Sequence, residues 1–288
     1  MDIVPQLVLN SIIAGAIYMM IALGFNLIYS TAKFFDLGYG VLTAIGGYAT
    51  FFFYKKLGLD LSIAIILGVA IAGAIGYAVQ KIVYKPLRAR KASNMVMLVA
   101  SLGVFTALQA LIAIFFSSQF QTLSMNAGGD RVFDIGGAVI TQVQLIILVS
   151  GLVIMGILGF VLKKTMFGKA VKAVADDEEV SKIVGINTNK VVSGVFIIGS
   201  MIAGLAGIFV GFDTGIEPTM GMSLLLKGVI ASIVGGIGNV YGSVLGAFLL
   251  GFVENFGIWK ISGEWKDAIA FGLLIIFLLW RPQGILKR

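Results

Sequence analysis

Residues 7–29 read LVLNSIIAGAIYMMIALGFNLIY, with apolar or small side chains on every helical face and no charge. A helix of this length rises about 34 Å at 1.5 Å per residue, enough to cross a hydrocarbon core of about 30 Å. A membrane barrel strand would instead show about ten residues of alternating polarity. The stretch therefore predicts a membrane-spanning helix, and the same texture recurs along the chain. Of 288 residues, 59% are hydrophobic and 12% charged, against about 45–50% and about 25% in soluble domains. A mean hydropathy of +1.02 agrees: this is an integral membrane protein built from helices.

The chain holds neither cysteine nor histidine. That removes disulfides, thiolate nucleophiles, imidazole bases and most transition-metal sites together, so an enzyme is not expected and no metal site is predicted. The opening MDIVPQ lacks the basic region of a cleavable signal, and the first lysine is Lys33, so the first helix is expected to stay as a span. The net charge of +7 does not point to nucleic acid. In a membrane protein an excess of Lys and Arg chiefly records topology.

The predicted spans are 6–29, 40–54, 61–80, 94–116, 143–162, 191–211, 223–235, 240–257 and 265–281, in one domain covering 1–288. Placing the basic loop YKPLRARK, residues 84–91, in the cytoplasm puts Met1 outside, segments 117–142 and 212–222 outside, and the RPQGILKR tail inside. Fifteen Lys and Arg then fall inside and five outside, with Lys227 left within a span, as the positive-inside rule requires. Lys55 and Lys56 sit on the outer side, so segment 40–54 can also be read as broken or re-entrant. The arm 223–235 is only about 20 Å long and precedes the glycine-rich GGIGNVYG at 235–242. It reads as a re-entrant half-helix whose tip must be buried in protein or line a wet cavity. The architecture expected is all-α and polytopic, with about eight transmembrane helices plus this broken element. Small residues every fourth position, at Gly199, Ala203, Gly207 and Gly211 and at Gly68, Ala72 and Gly76, predict close helix packing.

One stretch departs from the apolar texture: GKAVKAVADDEEVSKIVGINTNK, residues 168–190. Asp176, Asp177, Glu178 and Glu179 cover nearly a whole turn, so they cannot share one solvated face of a continuing helix. They read as a helix start, with Asp176 or Asp177 as N-cap and carboxylates where the macrodipole favours negative charge. The helix should close at Gly185, in the left-handed position that ends helices. Val180, Ile183 and Val184 then form one apolar stripe on a helix too short to be stable alone. Such a stripe either lies back on the protein's own cytoplasmic face or forms a knob for a partner.

The sequence from Gly168 to Gly207 resembles the cytoplasmic loop and following helix of the permease subunits of high-affinity branched-chain amino acid ABC transporters. The matching positions are Gly168, Lys169 and Ala170, the acidic centre at Asp176 and Asp177, and the tail Gly185, Ile186 and Asn187. NSIIAGAIYMMIALGFNLIYS, IVYKPLRAR, LLLKGVIASIVGGIGNVYGSVLGAFLLGFVENF and WRPQGIL extend the resemblance over nearly the whole chain. It implies that 163–190 is a coupling loop docking into a separate ATPase subunit, through Gly168, Lys169, Asp176, Asp177, Val180, Ile183, Val184, Gly185 and Asn187. It further implies two ATP-binding subunits carrying the ATP and Mg²⁺, a second identical or related permease subunit, and an extracytoplasmic solute-binding protein delivering amino acids. The location implied is the cell membrane. Where the family usually has Asn-Phe-Ala-His-Gly after the first helix, this chain has Phe35-Asp36-Leu37-Gly38-Tyr39-Gly40, so Asp36 and Tyr39 replace an amide and an imidazole.

Lys227 and Glu254 are the two charges left inside the membrane, and such residues are functional candidates by default. Counted from the GGIGNVYG tip, Lys227 lies about nine residues up one arm and Glu254 about twelve to fourteen up the other, so their long side chains can meet as an ion pair. Polar residues within or beside spans, including Asn10, Tyr18, Asn26, Thr43, Tyr48, Ser101 and Gln109, are candidates for interhelical hydrogen bonds or for a solute path. Asn26, Asp36, Tyr39 and Gln109 are the foremost path candidates. No G-x-x-x-x-G-K-[ST] run occurs, so no P-loop is present and ATP would be hydrolysed elsewhere. The competing reading is a stand-alone ion-coupled transporter or channel using Lys227 and Glu254.

Overall fold

A computed structural model describes residues 3–124, 132–135 and 137–286. Arg131, Lys287 and Arg288, which enter the charge count above, and Met1, placed outside above, lie outside the described residues. The helices are α1 (Ile3–Ala32), α2 (Gly38–Phe51), α3 (Leu61–Val79), α4 (Lys85–Ala89), α5 (Asn94–Phe116), α6 (Gln142–Lys164), α7 (Met166–Asp176), α8 (Glu178–Ile183), α9 (Thr188–Asp213), α10 (Met220–Gly235), α11 (Val240–Lys260) and α12 (Lys266–Trp280). Strands β1 (Val132–Ile135) and β2 (Ala138–Thr141) pair antiparallel between α5 and α6. Among the described residues six helices are long and apolar enough to cross a membrane: α1, α3 with its extension to Ala89, α5, α6, α9 and α11. The protein is an all-α polytopic membrane protein with one small hairpin.

Local chemistry fixes where these helices begin. Side chains of Asp60, Ser93, Asn187 and Asn239 accept backbone N–H groups at the starts of α3, α5, α9 and α11. Thr141 and Gln144 form a reciprocal capping box on α6. Each cap satisfies donors that the first turn would otherwise leave orphaned.

α1 is the axis of the molecule. Met19 to Leu23 are wholly buried on it, and it touches α6, α7, α9, α10 and α11. Lipid tails are as apolar as leucine, so helices associate in a bilayer through close packing. The small-residue rows supply it. A Cβ at Gly46 of α2 would run into the backbone of Gly204 on α9, and one at Gly207 into the Thr43 carbonyl. Outward faces of α3, α5, α6 and α12 carry exposed aliphatics such as Ile66, Ile114, Ile157 and Leu279, suited to lipid.

The alternative reading of segment 40–54 as broken or re-entrant is corrected. α2 does not turn back: its 14 residues continue through a five-residue π-helical segment, Phe52–Lys56, giving roughly 28 Å of uninterrupted helix. Lys55 at its far end donates to the Ser124 carbonyl at 2.9 Å, and Lys56 lies over the Phe116 ring. A π segment keeps the chain helical where a break was the alternative reading. The arm before GGIGNVYG starts at Met220 and has 16 residues, about 24 Å. Its tip meets the end of α1 and the chain's last described residues, so the α10–α11 hairpin reaches the end of the bundle that carries Lys33, Arg88, Lys163 and Lys172. The backbone of that tip is sheltered. Ile285 and Leu286 donate to the Val234 and Gly235 carbonyls at 2.9 and 3.1 Å, satisfying groups that the end of α10 leaves open.

The β hairpin was not expected. Its turn is set by Gly137, whose φ of +87° is left-handed, and by Asp134, which accepts the Gly137 N–H. Four-residue strands are too short to show clear alternation.

Candidate functional site

Two regions gather the polar chemistry: a knob at the basic end, and a charged cluster with a cavity toward the opposite end. The knob begins where α6 stops at Thr165, whose side chain caps α7 by accepting the Gly168 N–H. A Cβ at Gly168 would collide with the Val161 carbonyl and the Leu162 backbone, so glycine is what lets α7 fold back tightly across the end of α6. Val171, Val174 and Ala175 then bury against the body, at helical spacing.

Asp177 breaks α7 from α8. Its backbone is extended, and its Oδ1 accepts the Glu179 and Val180 N–H groups at 2.8 and 3.0 Å. At the far end Gly185 takes φ +86°, Gly185 N–H donates to Lys182 and Ile186 N–H to Ser181. That pair of bonds is a Schellman closure. The capped helix is six residues long, and its apolar stripe is uncovered: Val180, Ile183 and Val184 are 54%, 83% and 67% exposed. Lys169, Asp176, Gly185 and Asn187 are exposed beside it.

Lys33 and Arg88 hold the knob to the body, and Lys182 braces it from within α8. Lys33 Nζ donates to the Ala175 carbonyl at 2.6 Å, a cation on the negative end of the α7 dipole. Arg88 from α4 pairs with Glu178 at 2.7 Å, and Lys182 pairs with the same carboxylate at 2.9 Å. Partial burial raises the Glu178 pKa, but hydrogen bonds and charge from Lys182 and Arg88 more than offset this and hold it below the usual carboxylate range. A lowered folded-state pKa contributes stability above the unfolded value, about 4.3, and loses it as pH falls through the folded value. Hydrogen-exchange protection of α8 is therefore expected to drop below pH 4. Arg88→Gln should reduce protection at pH 7 and flatten that pH dependence; an unchanged profile would show that the pair does not hold the knob.

Of the other candidates, Asn26 lies at the hairpin tip. Its Oδ1 accepts the Gly238 N–H at 2.6 Å, and its Nδ2 donates to the Asn239 carbonyl and to Ser243 Oγ. The Asp36 carboxylate accepts from the Tyr84 hydroxyl at 2.6 Å, and Tyr39 donates to the Ile21 carbonyl at 3.1 Å. All three are buried and joined to separate elements. Gln109 is half-buried on α5 and belongs to neither cluster.

Lys227 and Glu254 do meet, at 3.0 Å, with Glu254 0% exposed. The pair is part of a larger cluster. Tyr18 donates to Glu254 at 2.6 Å, Asp267 lies 3.3 Å from Lys227, and Lys266 lies 3.6 Å from Glu254. Four helices, α1, α10, α11 and α12, are tied there.

Residues 7–278 match the family described as the permease component of branched-chain amino acid transport systems. This chain belongs to that family. The permease component is 30% identical to the high-affinity branched-chain amino acid transport system permease protein BraD of Pseudomonas aeruginosa, over 98% of this chain and 95% of that one. It is 29% identical to the LivH permease protein of Escherichia coli K12, with the same coverage. The ribose import permease protein RbsC of Haemophilus influenzae also aligns, 26% identical over 93% of this chain and 82% of its own, so one scaffold accompanies different solutes. Among solved structures, PsaBC from Streptococcus pneumoniae in complex with Fab superposes with a TM-score of 0.53 at 13% identity, over 98% and 93% of the two chains, a likeness of fold.

In this permease component two cavities lie at opposite ends of α1. One, of about 220 Å³, is bounded by Asn26, Lys163, Lys172 and Asn239 at the basic end. The other, of about 400 Å³, is bounded by Tyr18, Gln144, Asp213, Lys227 and Lys266. Tyr18 and Asn26 are eight residues apart, about 12 Å, and the wholly buried run Met19–Leu23 lies between them on α1. Sequence reasoning did not find the roles of Lys33, Arg88, Tyr84, Lys266 or Asp213. Their partners are 12 to 142 residues away, on other helices or segments, and only the cluster of charges near 260–267 gave any local sign.

Proposed function

We propose that this chain is a membrane-embedded permease subunit of an ABC importer that translocates amino acids of the branched-chain class. An extracytoplasmic solute-binding protein delivers the solute, and two separate ATP-binding subunits, carrying ATP and Mg²⁺, drive the cycle. A second identical or related permease subunit completes the pathway, and this chain has no catalytic site or cofactor of its own. In this reading the basic end is cytoplasmic, the first residues are outside, and the subunit has about eight transmembrane helices plus the broken α10–α11 element.

The observation that carries the reading is the knob. A short helix that is capped at both ends, anchored by Lys33 and Arg88, and presents three uncovered aliphatics is built to engage something outside the chain. As a coupling helix, α8 would pass nucleotide-driven movement of the ATPase through α7 to α1 and α9, shifting populations between inward- and outward-open states. Asp36–Tyr84 ties the segment after α1 to the extension of α3 at the same end, and Asn26 sets the hairpin tip beside the inner cavity. Uptake of L-leucine into proteoliposomes tests the reading. It should require ATP and the partner subunits, and uptake by this chain alone under an ion gradient would overturn it.

A further inference from the structure

The cavity at the end opposite the knob combines three features. Its walls are charged: Asp213 closes α9 on one side, and Lys227 and Lys266 stand on the other. The two lysines already face Glu254 and Asp267, so within that cluster positive and negative charges cancel. Asp213 is different. Its Oδ1 accepts from the Gln144 amide at 3.1 Å, and among the described residues no cation lies within ion-pair reach of it. Gln144 is in turn fixed, its Oε1 accepting the Thr141 N–H at 3.1 Å, so the Asp213 carboxylate is held in place, and Oδ2 meets no donor among the described residues. A half-buried carboxylate facing only an amide leaves an uncompensated negative charge in the cavity wall, and such a group favours a cation beside it. The third feature is apolar: Ile13, Ile17 and Leu224 also line the cavity, alongside polar Asn10, Thr214, Ser223 and Asn255. A volume of about 400 Å³ falls in the range of small-molecule sites.

We infer that this cavity is a binding site for an α-amino acid in transit. The α-ammonium is held by Asp213, and the aliphatic side chain lies on Ile13, Ile17 and Leu224. The inference rests on the proposed amino-acid importer and adds a site within it. Asp213 makes the discrimination, because a solute lacking a positive group leaves that carboxylate unpaired.

The test uses the absence of cysteine from the chain. Ser223→Cys places one thiol in the cavity lining, and its labelling by a membrane-impermeant maleimide is followed by the mass of this subunit in the complete transporter in nanodiscs. L-leucine should slow labelling at saturation, whereas 4-methylpentanoate, the same skeleton without the ammonium, should not. Adding Asp213→Asn, which keeps the acceptor for Gln144, should raise the half-protecting L-leucine concentration about tenfold or more, the loss of one charge-assisted bond; Asp213→Glu should restore part of it. Protection unchanged by Asp213→Asn, or given equally by 4-methylpentanoate, overturns the site. Absence of any protection in a complex that still imports L-leucine overturns the site and leaves the importer reading standing. A complex that imports no amino acid overturns both.

Discussion

Glu254→Gln is expected to cost about 3 kcal/mol of stability, near the lower end of the 3–5 kcal/mol typical when one partner of a buried ion pair is removed. It strands Lys227, with Lys266 nearby, and leaves only the exposed Asp267 as counter-ion. Lys227→Met has the mirror effect: a wholly buried carboxylate keeps the Tyr18 hydroxyl and a Lys266 ammonium at 3.6 Å. The double variant removes both charges and should recover much of the loss, because neutral groups of similar size do not need desolvated counter-ions. A double-mutant cycle by thermal unfolding in detergent measures this directly. Strong non-additivity is expected, with the double variant more stable than Glu254→Gln alone. Additive losses would mean that the two residues do not act as a pair.

The second large effect concerns the knob. Val180→Asp, Ile183→Asp and Val184→Asp together should weaken binding of the ATP-binding subunits by about a thousandfold or more. Burying each aliphatic is worth about 1.5–3 kcal/mol, and an unpaired carboxylate in an interface opposes binding further. The fold itself should be unaffected, since all three positions are exposed and the caps at Asp177 and Gly185 are untouched. Co-purification from membranes checks this, with thermal unfolding of the variant as the control. Undiminished association would place the ATPase contact elsewhere.

Much of this was legible in one dimension because its causes are local. An apolar run is enough to define α1 or α5, whose bounds at 94 and 116 match the reading residue for residue. The acids at 176–179 and the glycine at 185 define α8 through capping chemistry that spans a few residues. The pairing of Lys227 with Glu254 followed from two charges at compatible heights on adjoining arms. What was not legible depends on partners far apart in sequence. Nothing near Asp36 signals Tyr84, and nothing near Asp213 signals Gln144, because each hydrogen bond follows from how helices cross. What surrounds the α10–α11 tip was hidden for the same reason: it is completed by Asn26 and by the tail at 285–286.

The central claim, that this permease component moves amino acids with energy received through α8 from separate ATPase subunits, is tested most directly by uptake of radiolabelled L-leucine into proteoliposomes. The complete transporter, supplied with a solute-binding protein and with ATP on the side of the ATPase subunits, should accumulate L-leucine, and the triple aspartate variant should not. Uptake that persists without ATP, or that this chain supports alone under an ion gradient, would contradict the account.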